Sequence, residues 1–174
     1  PLFLQQERRL TAAERGTAMH LVMQYLELGG PDPEEQVRRL TDRRLLTPQQ
    51  AEAVDMERIR AFLATPLAQE IRQARQVWRE YRFALLMPAA LYDPAAEGEE
   101  LMLQGVVDCA FRTGEGLVVV DFKTDRLAPG EEPQRAEEYR PQLEAYAQAL
   151  ERVMEEKVCR KVLYFFSTGA TINL

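Results

Sequence analysis

The sequence predicts an α/β fold in which a helical N-terminal part leads into a β-β-β-α-β core. Three observations carry this. Helix-start signals recur through residues 1–75. From residue 76 aromatic and β-branched runs take over, separated by loops containing Gly or Pro. Helical spacing then returns once, over about residues 139–156, before a last apolar run.

Each element has a local reason. Thr11-Ala12-Ala13-Glu14 has the form of a capping box, with Leu10 placed for a hydrophobic staple. The helix it starts should run to about Leu28 and end at Gly29-Gly30. A loop with Pro31 and Pro33 precedes a short polar helix over 34–44. Thr47-Pro48-Gln49-Gln50 signals another start, running to about Leu63. Thr65-Pro66 restarts a short helix through about Ala74. Residues 76–87 read as a strand and 88–100 as an acidic loop. Residues 101–112 and 117–123 are two strands joined by Thr113-Gly114-Glu115-Gly116, 125–135 is loop, and 158–166 is the last strand.

The chain of 174 residues reads as one domain, 1–174, with 1–75 mainly helical and 76–174 as the core. With 46% hydrophobic and 29% charged residues it has an ordinary globular composition. No apolar run approaches the roughly 20 residues of a membrane span. Pro1-Leu2-Phe3-Leu4 lacks the basic and apolar regions of a signal peptide, and Pro1 reads as the cut edge of a fragment. Cys109 and Cys159 are too few for a disulfide framework or an iron–sulfur cluster and are expected to be buried structural thiols. A net charge of −6 argues against a free-standing nucleic-acid binder and fits a domain that is fed its substrate. There is no GxxxxGK[ST] phosphate loop, so ATP is not expected to bind here.

The informative residues are polar ones inside apolar strands. Asp108 sits in Gly105-Val-Val-Asp-Cys-Ala-Phe, and Asp121 and Lys123 sit in Leu117-Val-Val-Val-Asp-Phe-Lys-Thr. With Gly114-Glu115 as a two-residue type II′ turn, cross-strand partners have numbers summing to 229. Asp108 then lies opposite Asp121, with Cβ atoms roughly 4.5–5.5 Å apart. Lys123, two residues on, shares that face. Two carboxylates this close repel, and a divalent cation between them removes the conflict. Oxygen ligands suit a hard ion such as Mg²⁺, with Mn²⁺ as the alternative. The competing reading is an Asp–Lys ion pair on a solvated sheet face.

The Asp108, Asp121, Lys123 spacing resembles the PD-(D/E)xK (restriction-endonuclease-like) nuclease core. The segments Glu14–His20, Gln104–Asp108, Val120–Asp125 and Tyr139-Arg140-Pro141-Gln142-Leu143-x-x-Tyr146 narrow it. In this order they resemble the RecB-type nuclease family, and within it the nuclease domains that end the AddA subunits of bacterial AddAB helicase–nucleases. The final run Val162–Phe166 fits the same pattern. The resemblance implies a mixed sheet flanked by helices. It implies a metal held by His20, Asp108, Asp121 and the Phe122 backbone carbonyl, with Glu80 at a further acidic position. Lys123 would be catalytic, beside Asp108 and Asp121. Gln142 and Tyr146 match a Gln-x-x-x-Tyr motif and, with Tyr139 and Arg140, would contact DNA. If a helix starts at Pro141, its positive end would also favour phosphate.

The activity so implied is hydrolysis of single-stranded DNA as a helicase unwinds it, leaving 5′-phosphates, in recombinational repair in the bacterial cytoplasm. The implied partners are absent ATP-binding motor domains and an AddB-like subunit; no iron–sulfur cluster belongs to this chain. Two other readings stand: a stand-alone RecB-like exonuclease, and an inactive nuclease-like fold used for DNA binding or subunit docking.

Overall fold

A computed structural model describes residues 10–91 and 93–174. The Pro1–Leu4 stretch, whose character bears on a signal peptide, lies outside them. The chain divides into two compact units, one ending at Arg72 and one covering Gln73–Leu174.

The first unit is helical. Helix α1 (Ala12–Tyr25) opens on the capping box expected at Thr11 and Glu14. The staple does not form, because the fourth helical residue is Arg15, whose guanidinium donates to the Leu10 carbonyl at 2.6 Å. The helix also ends three residues earlier than its glycines suggest. The cause is Gln36 on α2 (Pro33–Asp42), a buried amide. Its Oε1 accepts from the Glu27 N–H at 2.8 Å, and its Nε2 donates to the carbonyls of Glu27 at 3.1 Å and Pro31 at 2.8 Å. These bonds satisfy backbone that would otherwise continue the helix. The capping box at Thr47 starts α3, but this helix stops at Ala53 (Pro48–Ala53). Asp55 caps a new helix, α4 (Met56–Leu63), accepting from the Arg58 N–H at 3.1 Å. Thr65 begins α5 (Pro66–Gln73), which crosses the unit boundary by one residue. No helix among the described residues is long and apolar enough to cross a membrane.

The second unit is a mixed sheet of five strands in the order β1-β2-β3-β4-β5. They are β1 (Val77–Pro88), β2 (Glu100–Arg112), β3 (Leu117–Lys123), β4 (Val158–Phe165) and β5 (Ala170–Asn173). β3 and β4 run parallel; the other neighbours are antiparallel. Between β3 and β4 in the chain comes α6 (Glu132–Met154), packed on one face of the sheet. Its inner residues join two clusters: Ala149 and Leu150 with Phe83, Val107 and Val119, and Ala136 and Leu143 with Leu163 and Phe165. The opposite face carries Phe122, Tyr164 and Phe166, whose rings meet at 5.0–6.5 Å between centroids.

The hairpin between β2 and β3 has the predicted register. Cys109 pairs with Val120, Ala110 with Val119, Phe111 with Val118 and Arg112 with Leu117. The turn is not type II′, because the left-handed residue is Gly116, with φ of 136°, rather than Gly114. A Cβ at Gly116 would stand 2.5 Å from the Lys157 carbonyl, so the backbone leading into β4 approaches the turn too closely for any other residue. Two further expectations are corrected here. α6 begins at Glu132, seven residues before Tyr139, and Pro141 lies inside it on the exposed side. Burial of Ala136 and Leu143 on one stripe outweighs the local cost of the proline, about 3 kcal/mol. The helix therefore has no positive end at Pro141 to offer a phosphate. Cys159 is exposed, on the extra residue where the β3–β4 register shifts. Cys109 is buried as expected, and burial pushes its thiol up to about 12, leaving it protonated and inert.

Candidate active site

The chemistry-bearing residues of the second unit gather where three strands cross the same level. Pairs flanking Glu80, Arg79 with Cys109 and Tyr81 with Val107, place Glu80 opposite Asp108. The β2–β3 register carries the row on to Asp121. Regular pairing stops there: the Phe122 N–H donates to Asp108 Oδ2 at 2.7 Å. A side chain thus replaces a ladder bond between strands. The carboxylates of Glu80 and Asp108 each offer an oxygen within 4.8 Å of the other.

Glu80 reaches this place through an unusual backbone. Its φ is 49°, in the left-handed region, which costs a non-glycine residue roughly 1–2 kcal/mol. The strand changes face there. Trp78 and Ala110 share the helix-side cluster with Tyr81, Phe83 and Val107, which strict alternation would put on the other side. The twist turns β1 and β2 over at the level of Glu80 and Asp108. Strain of this kind persists where the surroundings enforce it and is typical of functional sites. Glu80→Gly should therefore melt higher than Glu80→Ala without added metal, since both lack the carboxylate and only glycine relieves the backbone. An equal or lower melting temperature for Glu80→Gly would contradict the strain at this position.

Asp121 is 4% exposed and pairs with Lys123, Oδ2 to Nζ 2.5 Å. The Asp–Lys ion pair considered from the sequence is thus present, but in a buried setting rather than on a solvated face. Lys123 has two further neighbours on α6. Its Nζ donates to Gln142 Oε1 at 3.0 Å, and it stands 3.6 Å from the centroid of the Tyr139 ring. Gln142 Nε2 in turn donates to the Tyr146 hydroxyl at 2.7 Å. Three contacts hold the ammonium in one position.

The supports of this network are themselves fixed. The Tyr139 hydroxyl donates to Asp125 Oδ2 at 2.6 Å, and burial with that bond pushes its pKa up to about 12. Burial also raises the Tyr146 hydroxyl. Tyr146 packs edge-on to Phe83, with ring centroids 5.8 Å apart. Both rings close over Gly105: a Cβ there would lie 2.8 Å from Phe83 and 3.0 Å from Tyr146. Gly105→Ala should displace these rings, cost about 1–3 kcal/mol in chemical denaturation, and loosen Gln142. An unchanged denaturation midpoint would show that the rings move aside freely.

The structure thus brings Lys123, Asp121, Gln142, Tyr139 and Tyr146 into one network and Glu80 and Asp108 into a carboxylate pair next to it. Arg140 points elsewhere, forming a two-bond pair with Glu137 at 2.6 and 2.7 Å. The Phe122 ring is buried among aromatics on the opposite face, which leaves its backbone as the part near Asp108. His20 lies half-buried on α1, in the first unit. Sequence reasoning gave no role to Asp125. Its place two residues beyond Lys123, continuing the alternation from Asp121, was the available signal.

The donor chemistry fits a divalent cation. Two carboxylates within 4.8 Å on adjacent strands, one held there by a strained backbone, are the oxygen ligands a hard ion takes.

Comparison with known proteins points the same way. A model of the PD-(D/E)XK nuclease superfamily matches residues 2–172. The chain is similar to the A component of the ATP-dependent helicase/nuclease of Acetivibrio thermocellus, 44% identical over 99% of the chain and 14% of the relative. The same component from Heliobacterium modesticaldum is 40% identical over 100% of the chain and 13% of the relative. That of Bacillus velezensis is 38% identical over 97% and 15%. The chain spans about one seventh of the length of these relatives. With nearly the whole chain matched and the carboxylate–lysine geometry in place, the chain belongs to the PD-(D/E)XK nuclease superfamily.

Proposed function

We propose that this chain is the nuclease domain of a helicase–nuclease and hydrolyses single-stranded DNA. The observation that carries the reading is Lys123. A half-buried ammonium fixed by Asp121, Gln142 and Tyr139, next to a carboxylate pair, is an arrangement for chemistry on an anion.

Asp108, Asp121 and Glu80 would hold a divalent cation, Mg²⁺ in the cell, together with the Phe122 carbonyl. His20 is assigned to the same ion from the motif in which it stands. When bound, the cation supplies Lewis-acid polarisation of the phosphoryl oxygens. Lys123 orients the attacking water and offsets charge that develops on the phosphate. Gln142 holds Lys123 through its oxygen and leans on Tyr146 through its nitrogen, so the helix sets the angle of the ammonium. Tyr146 and Gln142 would contact the DNA strand. Arg140 would exchange Glu137 for a phosphate, a charge-assisted bond of similar strength.

The relatives' name couples a helicase with a nuclease. By that likeness, strand separation and ATP use belong to other parts of a longer protein, paired with an AddB-like partner, and the work is double-strand-break processing in the bacterial cytoplasm. The acidic charge of −6 suits a domain that receives DNA rather than searching for it. The test offers end-labelled single-stranded and blunt duplex DNA with Mg²⁺. Degradation of the single strand, with the duplex spared and 5′-phosphates on the products, is expected. Binding without cleavage would favour an inactive docking fold instead.

A further inference from the structure

We propose that Tyr139 and Asp125 are positioning residues for Lys123 rather than DNA contacts. This rests on the reading of Lys123 as catalytic. The Lys123 ammonium is 3.6 Å from the centroid of the Tyr139 ring, so one face of the ring is already occupied by the cation. The tyrosine is tied at its far end, its hydroxyl donating to Asp125 Oδ2 at 2.6 Å. Asp125 follows β3 two residues after Lys123, while Tyr139 stands on α6. The pair therefore closes a small ring of contacts: strand end, carboxylate, phenol, ammonium and back to the strand.

Two other neighbours compete for the ammonium, and the tie balances them. Asp121 attracts it toward the carboxylate, and Gln142 draws it toward the helix. The aromatic face supplies attraction without a formal negative charge. It holds the ammonium beside Asp121 without adding a further anion to a row that already contains Glu80, Asp108 and Asp121. A freely rotating Tyr139 would lose this geometry, and the Asp125 bond prevents that rotation.

The test combines kinetics with a spectroscopic readout on the whole chain. For Mg²⁺-dependent cleavage of single-stranded DNA, Tyr139→Leu should lower kcat about tenfold with KM unchanged. Tyr139→Phe keeps the ring face but loses the tie, and should fall between wild type and Tyr139→Leu. Asp125→Ala removes the acceptor of the hydroxyl and should fall to about the level of Tyr139→Phe, with KM again unchanged. Tyr139→Phe combined with Asp125→Ala should be no worse than Tyr139→Phe alone. A rise in KM at constant kcat would instead make Tyr139 a DNA contact and overturn the proposal.

The second readout needs no activity. The chain has three lysines, Lys123, Lys157 and Lys161, so ¹³C-lysine spectra resolve them. The Lys123 Cε protons should lie upfield of the other two through the ring current and return to the ordinary position in Tyr139→Leu. An unchanged Lys123 signal in that variant would refute the contact itself. If Lys123→Ala cleaves as fast as wild type while the upfield signal is present in wild type, the nuclease reading of Lys123 has failed and the contact stands.

Discussion

Lys123→Ala is expected to lower kcat for single-stranded DNA cleavage by about 10²–10³-fold, the usual loss when one preorganised electrostatic stabiliser is removed. Binding of the DNA should change little, because the ammonium matters most where charge develops. The variant should also lose stability, and for a reason the geometry supplies. Asp121 is 4% exposed and 2.5 Å from the ammonium, so truncating Lys123 leaves a buried carboxylate without that counter-charge. Breaking one side of a buried pair costs about 3–5 kcal/mol. Mg²⁺ should restore part of this loss by supplying positive charge to the same row. Urea denaturation of both proteins, with and without Mg²⁺, measures it. A Lys123→Ala protein as stable as wild type would mean that Asp121 is solvated in solution.

Asp108→Asn is expected to reduce cleavage at least as strongly while leaving the metal-free fold nearly as stable as wild type. The reason is that Asp108 has two separable jobs. Its Oδ2 accepts the Phe122 N–H at 2.7 Å, a bond an asparagine oxygen can also accept. Its charge, opposite Glu80, is what a cation would need, and asparagine lacks it. Asp108→Ala removes both. It should cost an additional ~1–3 kcal/mol, since the Phe122 N–H loses this acceptor. Thermal melts with a Mg²⁺ titration separate the two. Wild type should rise in melting temperature with the ion, and Asp108→Asn should not. A full Mg²⁺ response in Asp108→Asn would move the metal site away from Asp108.

Much of the site is legible in the sequence. The spacing between Asp108 and Asp121 fixes a register once the turn length is known, and the strands adopt that register. Period-2 alternation then brings Lys123 to the face of Asp121, where the two meet. Length matters more than turn type: the left-handed residue is Gly116, yet the pairing is unaffected. Capping boxes at Thr11 and Thr47 are equally direct, because the motif is a set of short-range hydrogen bonds.

What is not legible depends on contacts far apart in sequence. Helix α6 runs through Pro141 because Ala136 and Leu143 are buried against Leu163 and Phe165, which no local propensity encodes. α1 stops at Tyr25 because Gln36, on another helix, claims the next backbone groups. β5, residues Ala170–Asn173, is too short for alternation to declare it and exists by pairing with β4. The left-handed turn at Glu80 lies in a run that otherwise reads as a plain strand. Tyr139 and Gln142 can be placed on a helix face, but not against Lys123, since that needs the packing of α6 on the sheet.

If Lys123 and its carboxylate neighbours form a metal-dependent nuclease site, cleavage needs both the ammonium and the cation. The most direct measurement is a time course on end-labelled single-stranded DNA, wild type beside Lys123→Ala, each with Mg²⁺ and with a chelator. Rapid loss of full-length strand only in wild type with Mg²⁺ is the predicted result. Equal rates for the two proteins, or cleavage that survives the chelator, would contradict it.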